Sequence, residues 1–382
     1  MIAPNPVFGT GLHAVGGISA STCYLPFSQV RRWTWESYWL VQSFFAWLIM
    51  PLLIGFFTVP ELISVFRDSP PEAIIFPFLL GAVYGFGGMS FGYAIQHIGF
   101  SLTYTISIGI SAVLGTITPL ILDGTLAERF LTPGGSIVLA GMILSILGIV
   151  ICGSAGYMKE RDIEKLTGKK ELQKFNMKKG LTLTLIAGIL SAVFGISLSY
   201  AQPVSDVAGI YGAGHFEGNA KIIIPTAGCF VTNLIWFLVK GIRQGSLGEL
   251  FNTGGRKEKS LLPNYLLAIL GGSLWYFQFF FYGLGHVRMG NFMFASWGIH
   301  MTMLIFFSYL VGLIMKEWKE VRKSTYRTLL VALLMLVLSF AVITYGTVKG
   351  QEATKESSAS LGKGATIIPC ASYGKTLSGP RS

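Results

Sequence analysis

The sequence predicts an all-α polytopic membrane protein, with ten transmembrane helices arranged as a 5+5 inverted repeat. The first observation behind this is a run of fifty residues, between Glu72 and Asp123, that holds no Asp, Glu, Lys or Arg. Equally uncharged tracts cover 1–30, 37–60, 130–158, 180–205, 222–239, 260–287, 289–315 and 328–348. A charge at mid-bilayer costs about 2.5–3.5 kcal/mol even on the lenient insertion scale, and a spanning helix needs roughly 20 mostly apolar residues. The second observation is composition: 52% hydrophobic and only 12% charged, with a mean hydropathy of +0.60, where a soluble domain is about 25% charged. The third is an internal likeness between the halves.

Taken in order, the tracts place helices at 7–27, 37–59, 73–95, 101–122, 135–156, 180–201, 220–240, 262–284, 292–315 and 327–348. The first lacks a basic flank and an A-x-A cleavage site, so it reads as a retained helix and not a signal peptide. Residues 73–122 are too long for one span, and Gly99 supplies the tight turn between two. Between the fifth and sixth helices lies 159–179, with Lys159, Arg161, Lys165, Lys169, Lys170, Lys174, Lys178 and Lys179. The division is therefore a first repeat at 1–158, a basic linker at 159–179 and a second repeat at 180–349. A Ser-, Gly- and Lys-rich tail at 350–382 is expected to be disordered.

The halves share small-residue and histidine spacing. Gly81 precedes His97 by 16 positions and Gly271 precedes His286 by 15, while Gly17-Ile18-Ser19-Ala20 is echoed by Gly188-Ile189-Leu190-Ser191-Ala192. An odd number of helices per repeat inverts the second copy, the architecture of many secondary transporters. Gly81, Gly85, Gly88 and Gly92 form one stripe, suited to helix contact or to lining a cavity. Loops after odd-numbered helices carry 20 Lys/Arg and those after even-numbered ones carry 4. The positive-inside rule then puts 159–179 in the cytoplasm and both termini outside.

The formal charge of +11 sits in short loops, which favours a bilayer surface over nucleic acid. Cys23, Cys152, Cys229 and Cys370 are far apart, so neither a disulfide framework nor a zinc site is expected. No HExxH, Walker A or paired intramembrane carboxylates occur, which argues against an enzyme, and no catalytic or metal-binding residue is assigned.

Sugars have apolar C–H faces that stack on aromatic rings, and hydroxyls that need a few placed donors and acceptors. Trp275, Gln278 and Tyr282 recur at i, i+3, i+7 on one face of the eighth helix. Trp275, Tyr276, Gln278 and Trp297 are the expected sugar contacts, with Tyr24 beside them. The bland alternative is an aromatic belt with lipid-facing Phe. His exchanges a proton near neutral pH, so His300 is the first candidate coupling site, with Glu36 and His286 behind it. A helix–helix hydrogen bond is the alternative for the histidines, and a helix-terminal charge for Glu36. His97 and His13 also lie at or within helices.

Several segments together resemble the L-rhamnose–proton symporter family of the drug/metabolite transporter superfamily. They are Tyr24-Leu25-Pro26-Phe27 with Val30-Arg31-Arg32-Trp33-Thr34-Trp35-Glu36, Gly115-Thr116 with Thr118-Pro119, and Phe175-Asn176-Met177-Lys178-Lys179-Gly180-Leu181. Trp275 to Tyr282 with Gly285-His286 carries it furthest, along with His300-Met301, Gly312-Leu313 and Lys316-Glu317-Trp318. The resemblance implies import of L-rhamnose or a related 6-deoxy sugar across a bacterial inner membrane. It implies a co-transported proton, with Na⁺ as the alternative ion, and no bound cofactor. The chain departs from the family pattern at Asp123, where Asn is expected, and in its tail. A drug or metabolite efflux protein of the same superfamily, and a membrane sugar sensor without flux, are the other readings. The first should tolerate loss of Gln278, and the second should bind sugar with no proton-linked transport.

Overall fold

Asn5 begins the first helix: its Oδ1 accepts from the Phe8 amide at 3.1 Å, and Pro6 sits in the first turn, where no donor is missed. The computed structural model describes residues 4–167, 176–245, 248–251 and 261–364, and among them the chain is helical throughout, with no strand. In the first half the principal helices are α1 (Pro6–Thr22), α2 (Trp35–Thr58), α3 (Glu72–Ile98), α4 (Phe100–Leu122) and α5 (Gly135–Thr167). In the second they are α6 (Met177–Tyr200), α7 (Gly218–Gln244), α8 (Leu262–His286), α9 (Ser296–Ile314) and α10 (Lys323–Gly364). Among the described residues nine helical segments are long and apolar enough to cross a membrane. α1 is the exception at 17 residues, followed by a short 3₁₀ turn over Leu25–Gln29.

α2 is not a uniform helix. Pro51 has no amide to donate, and the turn before it, Phe45–Ile49, widens to a π-helical turn. Thr34 caps its start, and the carboxylate of Glu249, from the short helix Gly248–Phe251, reaches the same terminus. Glu249 Oε2 accepts from the Thr34 amide at 2.8 Å, from its hydroxyl at 3.0 Å and from the Ser37 hydroxyl at 2.8 Å. A negative charge there complements the positive end of the helix dipole.

The packing crosses between halves. α1 lies against α8 and α9, and α6 lies against α3 and α4. α3 packs on α7, α2 on α8, α5 on α10 and α4 on α9. Without hydrophobic drive between helices in lipid, such crossings depend on close backbone approach. The α3–α7 crossing shows it: a Cβ on Gly81 would overlap the Pro225 backbone, and one on Gly228 the Phe78 carbonyl. Gly99, at φ +79°, makes the break between α3 and α4 that the uncharged run required.

Two features depart from the sequence reading. The linker expected at 159–179 is in part helix: α5 continues to Thr167, because Lys159 and Asp162 are buried against the far half. Lys159 Nζ donates to Glu317 Oε2 at 3.0 Å, while Asp162 accepts from the Thr325 hydroxyl at 2.5 Å and the Arg322 amide at 3.0 Å. Residues 168–175 lie outside the described ones. The tail expected to be disordered over 350–382 is helical to Gly364, and 365–382 lie outside the described residues. Extending a formed helix adds a hydrogen bond per residue without a new nucleus, and Gln351 Nε2 also anchors it by donating to the Met289 carbonyl at 3.0 Å.

Candidate functional site

Helix ends and kinks bring aromatic side chains from both halves to one place. Tyr24, just past α1, stacks on Trp39 of α2 with ring centroids 6.1 Å apart and planes 7° from parallel. Trp39 meets Trp47 at 5.8 Å, and Trp47 meets Trp275 of α8 at 5.5 Å. Trp275 packs on Phe279 at 4.9 Å, and Phe279 stacks on Trp297 of α9 at 6.4 Å. The π-helical turn in α2 carries Trp47 into this row. These rings border a narrow cavity of about 60 Å³, whose wall also includes Tyr84, Ser107, Ser191 and Gln278. Among the described residues no Asp, Glu, Lys or Arg belongs to that wall.

The polar groups are few and held. Trp39 Nε1 donates to Asn233 Oδ1 at 3.1 Å, and Asn233 Nδ2 donates to the Cys229 and Gly85 carbonyls at 2.9 and 3.2 Å, fixing the amide between α7 and α3. Trp297 Nε1 donates to the Ser111 carbonyl at 3.0 Å. Gln278 Nε2 donates to the Trp275 carbonyl at 2.8 Å, which leaves its own oxygen as an acceptor without a protein donor. Trp47 Nε1 is buried with no partner. An aromatic box with a spare amide oxygen and a spare indole N–H can stack one face of a small polyol and bond two of its hydroxyls.

Trp297 is the wall of a second cavity as well, of about 490 Å³. Along α4 the first cavity takes Tyr104 to Ile108 and the second Gly115 to Leu120. Along α6 the first takes Ala187 to Phe194 and the second Gly195 to Ser199. The two cavities thus follow one another along the bundle, with the Trp297 indole between them. It is seated against Gly115 of α4 and Gly195 of α6, where a Cβ would collide with the ring. The indole is only 4% exposed.

A histidine cluster lies beside the partition. Tyr282 is ringed by His13 at 5.5 Å, His300 at 5.3 Å and His286 at 5.5 Å, with His13 and His300 5.8 Å apart. His13 and His300 are fully buried, and among the described residues neither ring nitrogen of either meets a hydrogen-bond partner. His286 Nδ1 is also unpartnered. The His13 backbone lies beside His300 without reaching hydrogen-bond geometry. Gly16 makes the room, since a Cβ there would lie 2.8 Å from His300 Cε1. Unpaired buried nitrogens are costly, about 1–3 kcal/mol each. Among the described residues no group of acids, cysteines and histidines has metal-holding geometry.

The expected residues separate on this frame. Trp275, Gln278, Trp297 and Tyr24 meet at the first cavity. Tyr276, also expected there, is fully buried away from it, and its hydroxyl has no partner. His286 lines the second cavity, and His300 sits behind Tyr282 and lines neither. Glu36 lines neither cavity: it is paired with Lys240, whose Nζ also bonds the Tyr93 hydroxyl. Sequence reading did not single out Trp39, Trp47, Asn233 or Lys240. Trp47 could have been flagged as the indole within the turn before Pro51, but the others are brought in by contacts across some 150–200 residues.

Residues 4–349 match the family described as L-rhamnose-proton symport protein (RhaT). The chain is similar to proteins named L-rhamnose-proton symporter in Mannheimia succiniciproducens and Pectobacterium carotovorum, each 31% identical, over 343 and 346 residues. It is 30% identical to one in Pectobacterium atrosepticum over 350 residues. These matches take in 89–90% of this chain and 98% of each relative. Built around two serial cavities and an uncharged aromatic wall, the chain belongs to the L-rhamnose-proton symport protein family.

Proposed function

We propose that the protein imports L-rhamnose, or a closely related 6-deoxy sugar, together with a proton, by alternating access. The observation that carries this is the first cavity: aromatic faces, Gln278 and an absence of charge between two halves of the chain. The relatives' names supply the sugar and the proton. They lend nothing to sodium, the alternative ion.

The packing supports an inverted repeat. Exchanging α1–α5 with α6–α10 turns α3–α6 into α8–α1, α4–α6 into α9–α1, and α7–α3 into α2–α8, all of them tight pairs. α5–α10 and α4–α9 map onto themselves. On this reading α1 is the tenth span, completed by Leu25–Gln29, as the drug/metabolite transporter architecture expects. The excess of Lys/Arg after odd-numbered helices orients the bundle with both termini periplasmic, in a bacterial inner membrane. The first cavity then lies toward the cytoplasm and the second toward the periplasm, and rocking one half against the other exchanges access.

The sugar stacks on Trp275 and Trp297 and bonds Gln278, with Tyr24 at the inner end. The proton resides on the histidines around Tyr282, with His300 first. Since Tyr282 packs on Phe279, and Phe279 on both Trp275 and Trp297, charge on the cluster and occupancy of the cavity share one wall. That shared wall is the physical means for a reciprocal coupling free energy.

The test is external pH in proteoliposomes when L-rhamnose is added, against L-fucose and D-mannose. Alkalinisation with L-rhamnose, and less with the others, is expected. No pH change and no accumulation by folded protein would sink the reading in favour of efflux or sensing.

A further inference from the structure

The second cavity has features that passage alone does not require. Lys221, at the start of α7, lies on its wall, is 4% exposed and makes no ion pair among the described residues. Its ammonium bonds Gln202 Oε1, and Gln202 Nε2 in turn donates to Asp206 Oδ1 at 2.9 Å. A buried ammonium is retained only where its charge is compensated. Here Asp206, through a neutral amide, and Glu217 both act on that charge, and among the described residues only Gln202 takes a proton from the ammonium.

The remaining wall fixes the class of ligand. Asp123 and Arg129 stand exposed at the mouth, so acceptor and donor charges occur together. With Asp206 answering Lys221, the cavity is not a well for anions. Tyr282, Phe294 and Trp297 add ring surface. Aromatic faces, an unpaired donor cluster and a carboxylate acceptor together suit a neutral polyol, whose hydroxyls both give and take hydrogen bonds.

We propose that this cavity is a second binding site for the transported sugar, a periplasmic docking site centred on Lys221 and separated from the first by Trp297. The inference rests on the rhamnose reading above. Sugar held there waits on the far face of the indole that closes the central site. Movement inward requires Trp297 to release the Ser111 carbonyl and leave its seat between Gly115 and Gly195.

Equilibrium dialysis of the full chain in detergent with radiolabelled L-rhamnose tests it. Two sugars per chain are expected. Lys221→Met should reduce this to one, and Trp275→Ala should remove the other instead. Ser199→Trp, which adds bulk at an exposed point of the same wall, should also leave one and does not disturb a buried charge. One sugar per wild-type chain, lost in Trp275→Ala, would overturn the second site while leaving transport intact. Two sugars undiminished by both Lys221→Met and Ser199→Trp would overturn its placement. No binding by monodisperse wild type, with no rhamnose-driven pH change in proteoliposomes, would overturn the underlying reading.

Discussion

Trp275 and Gln278 sit one helical turn apart and offer a sugar different things, a ring face and an acceptor. Removing the ring should matter more: Trp275→Ala is expected to weaken half-saturation for L-rhamnose by about 2 kcal/mol, roughly 30-fold. Gln278→Leu keeps the volume and deletes the acceptor, for a loss of about 1–1.5 kcal/mol, roughly tenfold. Initial rates of labelled uptake read both, and equal effects would argue against stacking as the leading contact. His300 should behave differently. His300→Asn is expected to keep L-rhamnose exchange between equal pools while accumulation driven by a pH gradient disappears. Loss of exchange as well would make His300 a packing residue. None of this partnership shows in sequence. His13 and His300 are 287 positions apart, and only the packing of α1 on α9 makes them neighbours. Glu36 was visible as a charge at a helix start, but its answer, Lys240, lies in the other half.

Helices in a bilayer gain little from burying apolar surface against one another, so glycine positions decide how closely they cross. Gly81 and Gly228 set the α3–α7 crossing by mutual backbone contact. Gly81→Val must therefore push two helices apart, and about 3 kcal/mol of destabilisation is expected. Thermal unfolding of the detergent-solubilised protein checks this against Gly11→Val, whose added atoms meet open space. Similar melting temperatures for the two variants would refute the crossing. At this scale the sequence was informative. The helix limits followed from where charges stop, because the bilayer penalises each charge individually. Over 159–167 and 350–364 the helix runs on outside that rule. There Lys159 and Asp162 find partners in the far half and Gln351 finds a backbone carbonyl.

For the molecule as a whole, orientation is the first matter to test. Asp123 and Glu320 are both exposed and belong to opposite ends of the bundle in the proposed topology. With Cys370 replaced by Ser, the remaining native thiols, Cys23, Cys152 and Cys229, are buried. A membrane-impermeant thiol reagent on intact cells is then expected to label Asp123→Cys and spare Glu320→Cys. The reverse pattern would invert the assignment. The uncharged wall of the central cavity has an electrical consequence. If the site contributes no charge of its own, the unloaded carrier crosses as a neutral body and the loaded one moves a single positive charge. Voltage then acts on the filled inward step alone. A potential of 100 mV is worth about 2.3 kcal/mol per charge, enough to sustain a roughly 50-fold sugar gradient without any pH difference. Valinomycin-imposed potassium potentials, interior negative, should thus drive L-rhamnose accumulation in proteoliposomes at equal pH. The sugar would be held inside by the charge of its companion.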